Sequence, residues 1–269
     1  MDTSNRGSKE REITQDVFDQ LIHYLKYASS AYTPICPRPN GNNLITHFSG
    51  ISEGHIARDD SRKELIVALR GSANITDMLL DTQIVLVPYL SPGVSVPHEV
   101  RVHAGFLTAW DSVSVQVLAV LAAQLAVHTD IKRIVTTGHS LGGSLATLSA
   151  ISLMQHFPHC KILTYSYGAP RTGNNAFAKF VNEKFGNNAF RVVHTHDGVP
   201  TMICQSLGYH HHGIEYWQAY EPAIPENITR CEAENGEEDP TCSLSIPSSG
   251  INDAHFVYFG IVATTPFCL

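Results

Sequence analysis

A chain of 269 residues with 43% apolar and 16% charged side chains can bury a large core as one folded unit, which argues against global disorder. A formal net charge of −7, with no run of Lys or Arg, argues against a surface built for nucleic acid. No stretch reaches the roughly 18 uninterrupted apolar residues that span a bilayer, so no transmembrane segment is expected.

The first twelve residues are polar and lack the apolar core of a signal peptide, so a leader, if one exists, has been removed. From Thr14 to Tyr32, Val17, Phe18, Leu21, Ile22 and Leu25 recur at helical spacing and predict an amphipathic helix laid on a core. The turn-rich stretch 34–43 follows. Short β-branched runs then predict strands at Glu64 to Leu69, Val100 to His103, Arg133 to Thr137, Lys161 to Tyr167 and Phe190 to Thr195. Helical patterns lie between them at Thr108 to Val127, Leu141 to His156 and Asn175 to Phe185. Alternating strands and helices predict an α/β class with a largely parallel sheet covered on both faces, over a single domain of residues 1–269. The acidic, Pro- and Ser-containing stretch 221–249 reads as a surface excursion.

Six cysteines show no CxxC and no His partner at zinc-finger spacing, so no metal is expected. Cys36 follows the first helix and Cys268 is penultimate, while Cys231 and Cys242 bracket the acidic loop. The expected pairs are Cys36 with Cys268 and Cys231 with Cys242. Cys160 and Cys204 are expected to be buried free thiols. Two sequons, at Asn74 and Asn227, agree with an oxidising, extracellular route.

The chemistry concentrates at Gly138-His139-Ser140-Leu141-Gly142-Gly143, which stands between a β-branched run and a small-residue helix. A serine on such a strand-to-helix turn is held in strained backbone geometry. The glycines on either side are required because side chains there would strike the neighbouring strand and helix. The Leu141 amide falls at the helix N-terminus, where it can donate to an oxyanion. A serine hydroxyl needs a base, and His is the side chain with a suitable pKa. Of fifteen histidines, the Ser, Asp, His order of this turn type favours His255, delivered by a turn-rich loop ahead of an aromatic segment. Asp197, just past the end of a strand, is the expected acid. Asp253 competes for that role but reads better as a loop cap. The run His210, His211 and His212 alternates faces on a strand and reads as surface or satisfied core rather than as a metal site.

With these residues placed, the chain resembles the secreted fungal lipases of class 3, a family that includes the type-A feruloyl esterases. The marks are Leu69 to Ser72, Val102 to Phe106, Gly138 to Gly143, Tyr167 to Arg171, His194 to Pro200, Gly208 to Trp217 and Asn252 to His255. The resemblance implies an α/β-hydrolase fold and a triad of Ser140, Asp197 and His255. It also implies an oxyanion hole in which Ser72 joins Leu141, and a disulfide from the early loop to the C-terminus. It implies a lid over about 73–83, with Ile75, Met78 and Leu79 on its apolar face. Met78 stands near the position of the lid tryptophan of typical lipases, and Ile84 and Leu107 stand where feruloyl esterases carry tyrosines.

The expected function is ester hydrolysis through an acyl-serine. Acylglycerols or similar lipid esters at a lipid–water interface are the first substrate class, because Ile84, Leu107 and Val199 offer aliphatic lining. A feruloyl or broad carboxylesterase is the alternative within the family. A hydrolase-fold binding protein that has lost activity is the reading from another class, and the complete triad argues against it. No cofactor is expected, and a secreted monomer is.

Overall fold

The computed structural model describes residues 11–72, 84–233 and 237–269. The expected lid, with Asn74, Ile75, Met78 and Leu79, lies outside the described residues. Helix α1 (Gln15–Ser30) opens the fold, with the Thr14 side chain accepting from the Val17 amide as its N-cap. Strands β1 (Asn43–Ser49), β2 (Glu53–Asp59) and β3 (Glu64–Leu69) form an antiparallel run. After β4 (Leu86–Pro88) and β5 (Arg101–His103) the chain enters the long helix α2 (Ala104–Val127). Then come β6 (Arg133–His139), α3 (Leu141–His156), β7 (Lys161–Tyr167), β8 (Gly173–Asn174), α4 (Asn175–Phe185) and β9 (Ala189–His194). The remainder holds α5 (Val199–Met202), β10 (Tyr209–His210), β11 (Glu215–Gln218), β12 (Ile228–Cys231), α6 (Asp253–Phe256), β13 (Val257–Tyr258) and β14 (Ile261–Val262).

Eight strands make the central sheet in the order β1-β2-β3-β6-β7-β9-β11-β12. The run β3 to β11 is parallel and β12 closes the far edge antiparallel, so a parallel centre carries antiparallel borders. Period-two alternation distributes the strand residues between two cores. Leu65, Val67 and Leu69 of β3 face the core shared with α2, α3 and α4, and Ile66 and Ala68 face the core under α1. A second, four-stranded sheet has the order β10-β8-β5-β4.

Helix α2 is, among the described residues, the one helix long and apolar enough by composition to cross a membrane. It nonetheless packs Phe106, Trp110, Val113, Val117 and Leu121 into the first core, as the main helix of a sheet protein does.

The excursion at 221–249 is more than a surface loop. It supplies β12, and it sends Glu238 into the interior, where Arg171 holds both carboxylate oxygens at 2.7 and 2.6 Å. An acidic, Pro-rich composition hides a strand of only four residues and the buried carboxylates of Glu238 and Asp239. Disulfides join Cys36 to Cys268 and Cys231 to Cys242. The two remaining thiols are free but not buried. Cys160 is half-buried at the foot of β7, and Cys204 is exposed because its turn leaves the core after Ile203.

Candidate active site

Ser140 occupies the single-residue turn between β6 and α3, at φ 61° and ψ −131°, a conformation that L side chains rarely adopt. Its neighbours explain how the turn is tolerated. A Cβ on Gly138 would lie 2.2 Å from the Gly142 carbonyl, and one on Gly142 would lie 2.1 Å from the Leu69 carbonyl oxygen. The strand and helix can therefore meet at this angle only without side chains there. Ser140 is held further by its amide, which donates to the Tyr167 carbonyl at 2.8 Å. Leu141 is the first helical residue, so its N–H belongs to the turn that lacks intrahelical acceptors.

His255 arrives on the one-turn helix α6, capped by Asn252, whose Oδ1 accepts from the Ala254 amide at 3.0 Å. Asn252 also donates to the His196 carbonyl at 2.8 Å, which ties this loop to the one carrying Asp197. His255 Nε2 lies 3.0 Å from Ser140 Oγ, and His255 Nδ1 lies 2.9 Å from Asp197 Oδ2. The three side chains form one buried line, at 2%, 1% and 6% exposure for Ser140, His255 and Asp197, so water competes little with these hydrogen bonds. Asp197 sits in the loop after β9. Its Oδ1 accepts from the Val199 amide at 2.9 Å, and its Oδ2 accepts from the Tyr258 hydroxyl at 2.5 Å. Burial, and then the adjacent Asp197 carboxylate, raise the Tyr258 phenol well above its ordinary pKa, so it remains a donor.

Two residues to which the sequence reading assigns no catalytic role complete this wall. Tyr258 lay within a segment read only as aromatic, although it stands three residues beyond His255. Gly168 has φ +58°, and a Cβ there would fall 2.6 Å from both Asp197 Oδ2 and the Tyr258 oxygen. The glycine of Tyr167-Gly168-Ala169-Pro170 thus makes room for the acid and its donors.

The rival residues separate from the site. Asp253 is exposed on α6, and the cap expected of it is made by Asn252. His211 and His212 are buried; His211 Nε2 lies 2.8 Å from the Pro200 carbonyl, and burial pushes both well below an ordinary imidazole pKa. Ser72 is half-buried beyond the end of β3. The preceding Gly71 passes so near the nucleophile that a Cβ on it would lie 3.1 Å from Ser140 Cβ. Leu107 and Val199, expected as substrate lining, are buried in the first core, with Ile84 packed against it.

Among the described residues two clusters have metal-ligand composition, and neither adjoins Ser140. One is Glu215 with Cys231 and Cys242, whose sulfurs are consumed in a disulfide. The other is His23, Asp59 and Glu64, where Glu64 starts β3 at the end remote from the site and accepts from Tyr24 and Arg133.

A serine, imidazole and carboxylate in this relation, beside a helix N-terminus, can support nucleophilic acyl transfer. Comparison with known proteins agrees. The class 3 lipase family matches residues 66–206. The chain is 35% identical to a lipase of Rhizomucor miehei, over 93% of this chain and 71% of that one. It is 32% identical to a secreted mono- and diacylglycerol lipase of Fusarium solani, over 93% and 78%. It also superposes on a solved triacylglycerol lipase described as having a serine protease triad at its catalytic centre. That match has a TM-score of 0.80 and 28% identity, covering 95% of this chain and 98% of that one. With its mostly parallel sheet flanked by helices, the protein has the α/β-hydrolase fold and belongs to the class 3 lipase family.

Proposed function

We propose that this protein is an extracellular lipase that hydrolyses acylglycerols through an acyl-serine on Ser140, acting as a monomeric single domain at a lipid–water interface. The observation that carries the reading is the buried line from Ser140 Oγ through His255 to Asp197, with hydrogen-bond distances of 3.0 and 2.9 Å.

In the first half-reaction Ser140 Oγ attacks the ester carbonyl carbon while its proton passes to His255 Nε2, and Asp197 stabilises the imidazolium that results. Charge that develops on the carbonyl oxygen is received by the Leu141 amide, at the positive end of a 16-residue helix, and by Ser72. His255 then returns the proton to the departing alcohol. In the second half-reaction a water, deprotonated by His255, releases the acid and restores Ser140. The names of the relatives support acylglycerols as the substrate class, and the two disulfides and the secreted relative support an extracellular location. Asn227 is partly exposed in a turn ahead of β12, where it can carry a glycan, as can Asn74.

The test is the initial rate on tributyrin, a long-chain triacylglycerol emulsion and methyl ferulate, with Ser140→Ala protein as the blank. The expected result is a preference for the emulsion that rises above the solubility limit and disappears in Ser140→Ala. Dominant turnover of methyl ferulate would replace the acylglycerol assignment with a feruloyl one.

A further inference from the structure

His139 ends β6 one residue before the nucleophile and is 1% exposed. The Ser, Asp, His chain order excludes it as the base, and the mechanism above does not use it, yet it touches the base directly. Its Nε2 lies 2.7 Å from the His255 carbonyl oxygen, and its ring centroid is 4.6 Å from that of His255 at 35°. On its other side Nδ1 lies 2.7 Å from the Tyr32 hydroxyl.

These distances allow one arrangement of protons. Burial, with the adjoining His255 second, lowers the His139 pKa to about 3, so the ring is neutral near pH 7 and has one N–H for two partners. The His255 carbonyl can only accept, so Nε2 carries the proton and Nδ1 accepts from Tyr32. The Tyr32 oxygen in turn lies against Gly71, where a Cβ would come within 2.1 Å of it, and Gly71 precedes Ser72.

From this geometry we infer that His139 is a positioning residue for His255, fixed by Tyr32 in the tautomer that donates from Nε2. The hydrogen bond joins the residue that carries the base to the residue covalently next to the nucleophile. It therefore sets the span between His255 Nε2 and Ser140 Oγ more directly than any loop contact can. Loss of the Tyr32 hydroxyl would free the other tautomer, which turns an Nε2 lone pair toward the carbonyl and pushes the His255 loop away. A displacement near 1 Å at a reacting pair can cost about a hundredfold in rate. The inference rests on the proposed triad, and the experiment separates the two.

The test uses His139→Leu, His139→Gln and Tyr32→Phe, assayed on a soluble p-nitrophenyl ester and counted by phosphonate titration of active sites, with thermal midpoints alongside. Leu fills the volume without a donor, whereas the Gln amide can place N–H near the position of Nε2. The expected result is kcat per titrated site about 100-fold down in His139→Leu and about tenfold down in Tyr32→Phe. KM should stay within about twofold, and His139→Gln should recover most of the lost kcat. Unchanged kcat per titrated site in His139→Leu, or equal losses in Leu and Gln that follow their thermal midpoints, would overturn the inference and leave the triad standing. Should His139→Leu fail to fold, Tyr32→Phe decides, and an unchanged kcat there overturns it. A parent protein that phosphonate fails to label would instead overturn the triad reading, and this inference with it.

Discussion

Two buried carboxylates in this molecule are held by the same physics and do different things. Asp197 accepts from His255, Tyr258 and the Val199 amide, and Glu238 accepts from Arg171, Gln205 and the His211 amide. Each anion is removed from water and surrounded by donors, as burial of charge requires. The difference lies in the principal partner. Arg171 is a permanent cation, so its pair with Glu238 is a lock that fastens the acidic excursion to the loop after β7. His255 can take up and release a proton, so the pair with Asp197 is a relay that awaits a donor. A carboxylate becomes part of a reaction when the group it orients can change charge.

Breaking the relay should have the largest effect. Asp197→Asn preserves shape but allows the wrong His255 tautomer, and kcat on a soluble ester should fall about 10⁴-fold with little change in the urea midpoint. A loss under tenfold would mean that Asp197 does not orient the base.

Breaking the lock should act on stability alone. Glu238→Gln leaves the Arg171 charge, 2% exposed, without its anion, and should cost about 3–5 kcal/mol in urea unfolding. Turnover per titrated site should stay within about twofold of the parent. A fall in turnover without a fall in stability would make Glu238 part of the site.

Acid should loosen the fold before it neutralises the lock. Burial lowers the pKa of His23 and His103 to about 4, of His55, His139 and His212 to about 3, and of His211 well below its ordinary value. Below pH 6.5 the unfolded chain binds protons that the folded chain refuses. Stability is therefore complete above about pH 6.5 and declines from there towards pH 4, at up to about 1.4 kcal/mol per pH unit for each histidine. For Glu238, burial opposes the charge most strongly, but the Arg171 hydrogen bonds and the positive charges around the carboxylate together outweigh it, so its pKa lies below the ordinary value. Its contribution is present above about pH 4.5 and is lost only below that. Urea midpoints should be level from pH 8 to 7 and fall steadily from 6.5 to 5; a level profile to pH 5 would contradict neutral burial of the histidines.

The smallest expected effect sharpens the comparison. Tyr258→Phe removes one donor from Asp197 and leaves the others, so kcat should fall about tenfold, in line with a charge-assisted hydrogen bond of about 1.5 kcal/mol. A loss near the roughly 10⁴-fold of Asp197→Asn would make Tyr258 as important to the relay as the aspartate.

What could be read from the sequence follows the same division. Strands β3 and β7 and helices α3 and α4 are legible to the residue, because buried parallel strands and their helices are written in uninterrupted or strictly periodic apolar residues. Strands β1 and β2 are not. His47, His55 and Arg58 break their pattern, and nothing local reveals that His55 is fully buried. Strands β11 and β12 are four residues each and owe their form to pairing with β9 and with each other. At the site, Ser140, Asp197 and His255 stand in recognisable local settings, whereas Tyr258, Gly168 and His139 acquire meaning only from contacts across the fold.

The most direct test of the account is the intact mass of the folded protein after exposure to a p-nitrophenyl phosphonate, followed by peptide mapping. The account predicts one adduct per chain, on Ser140, formed rapidly in the parent, slowly in Asp197→Asn and not at all in Ser140→Ala. An unlabelled parent, or an adduct that persists in Ser140→Ala, would contradict it.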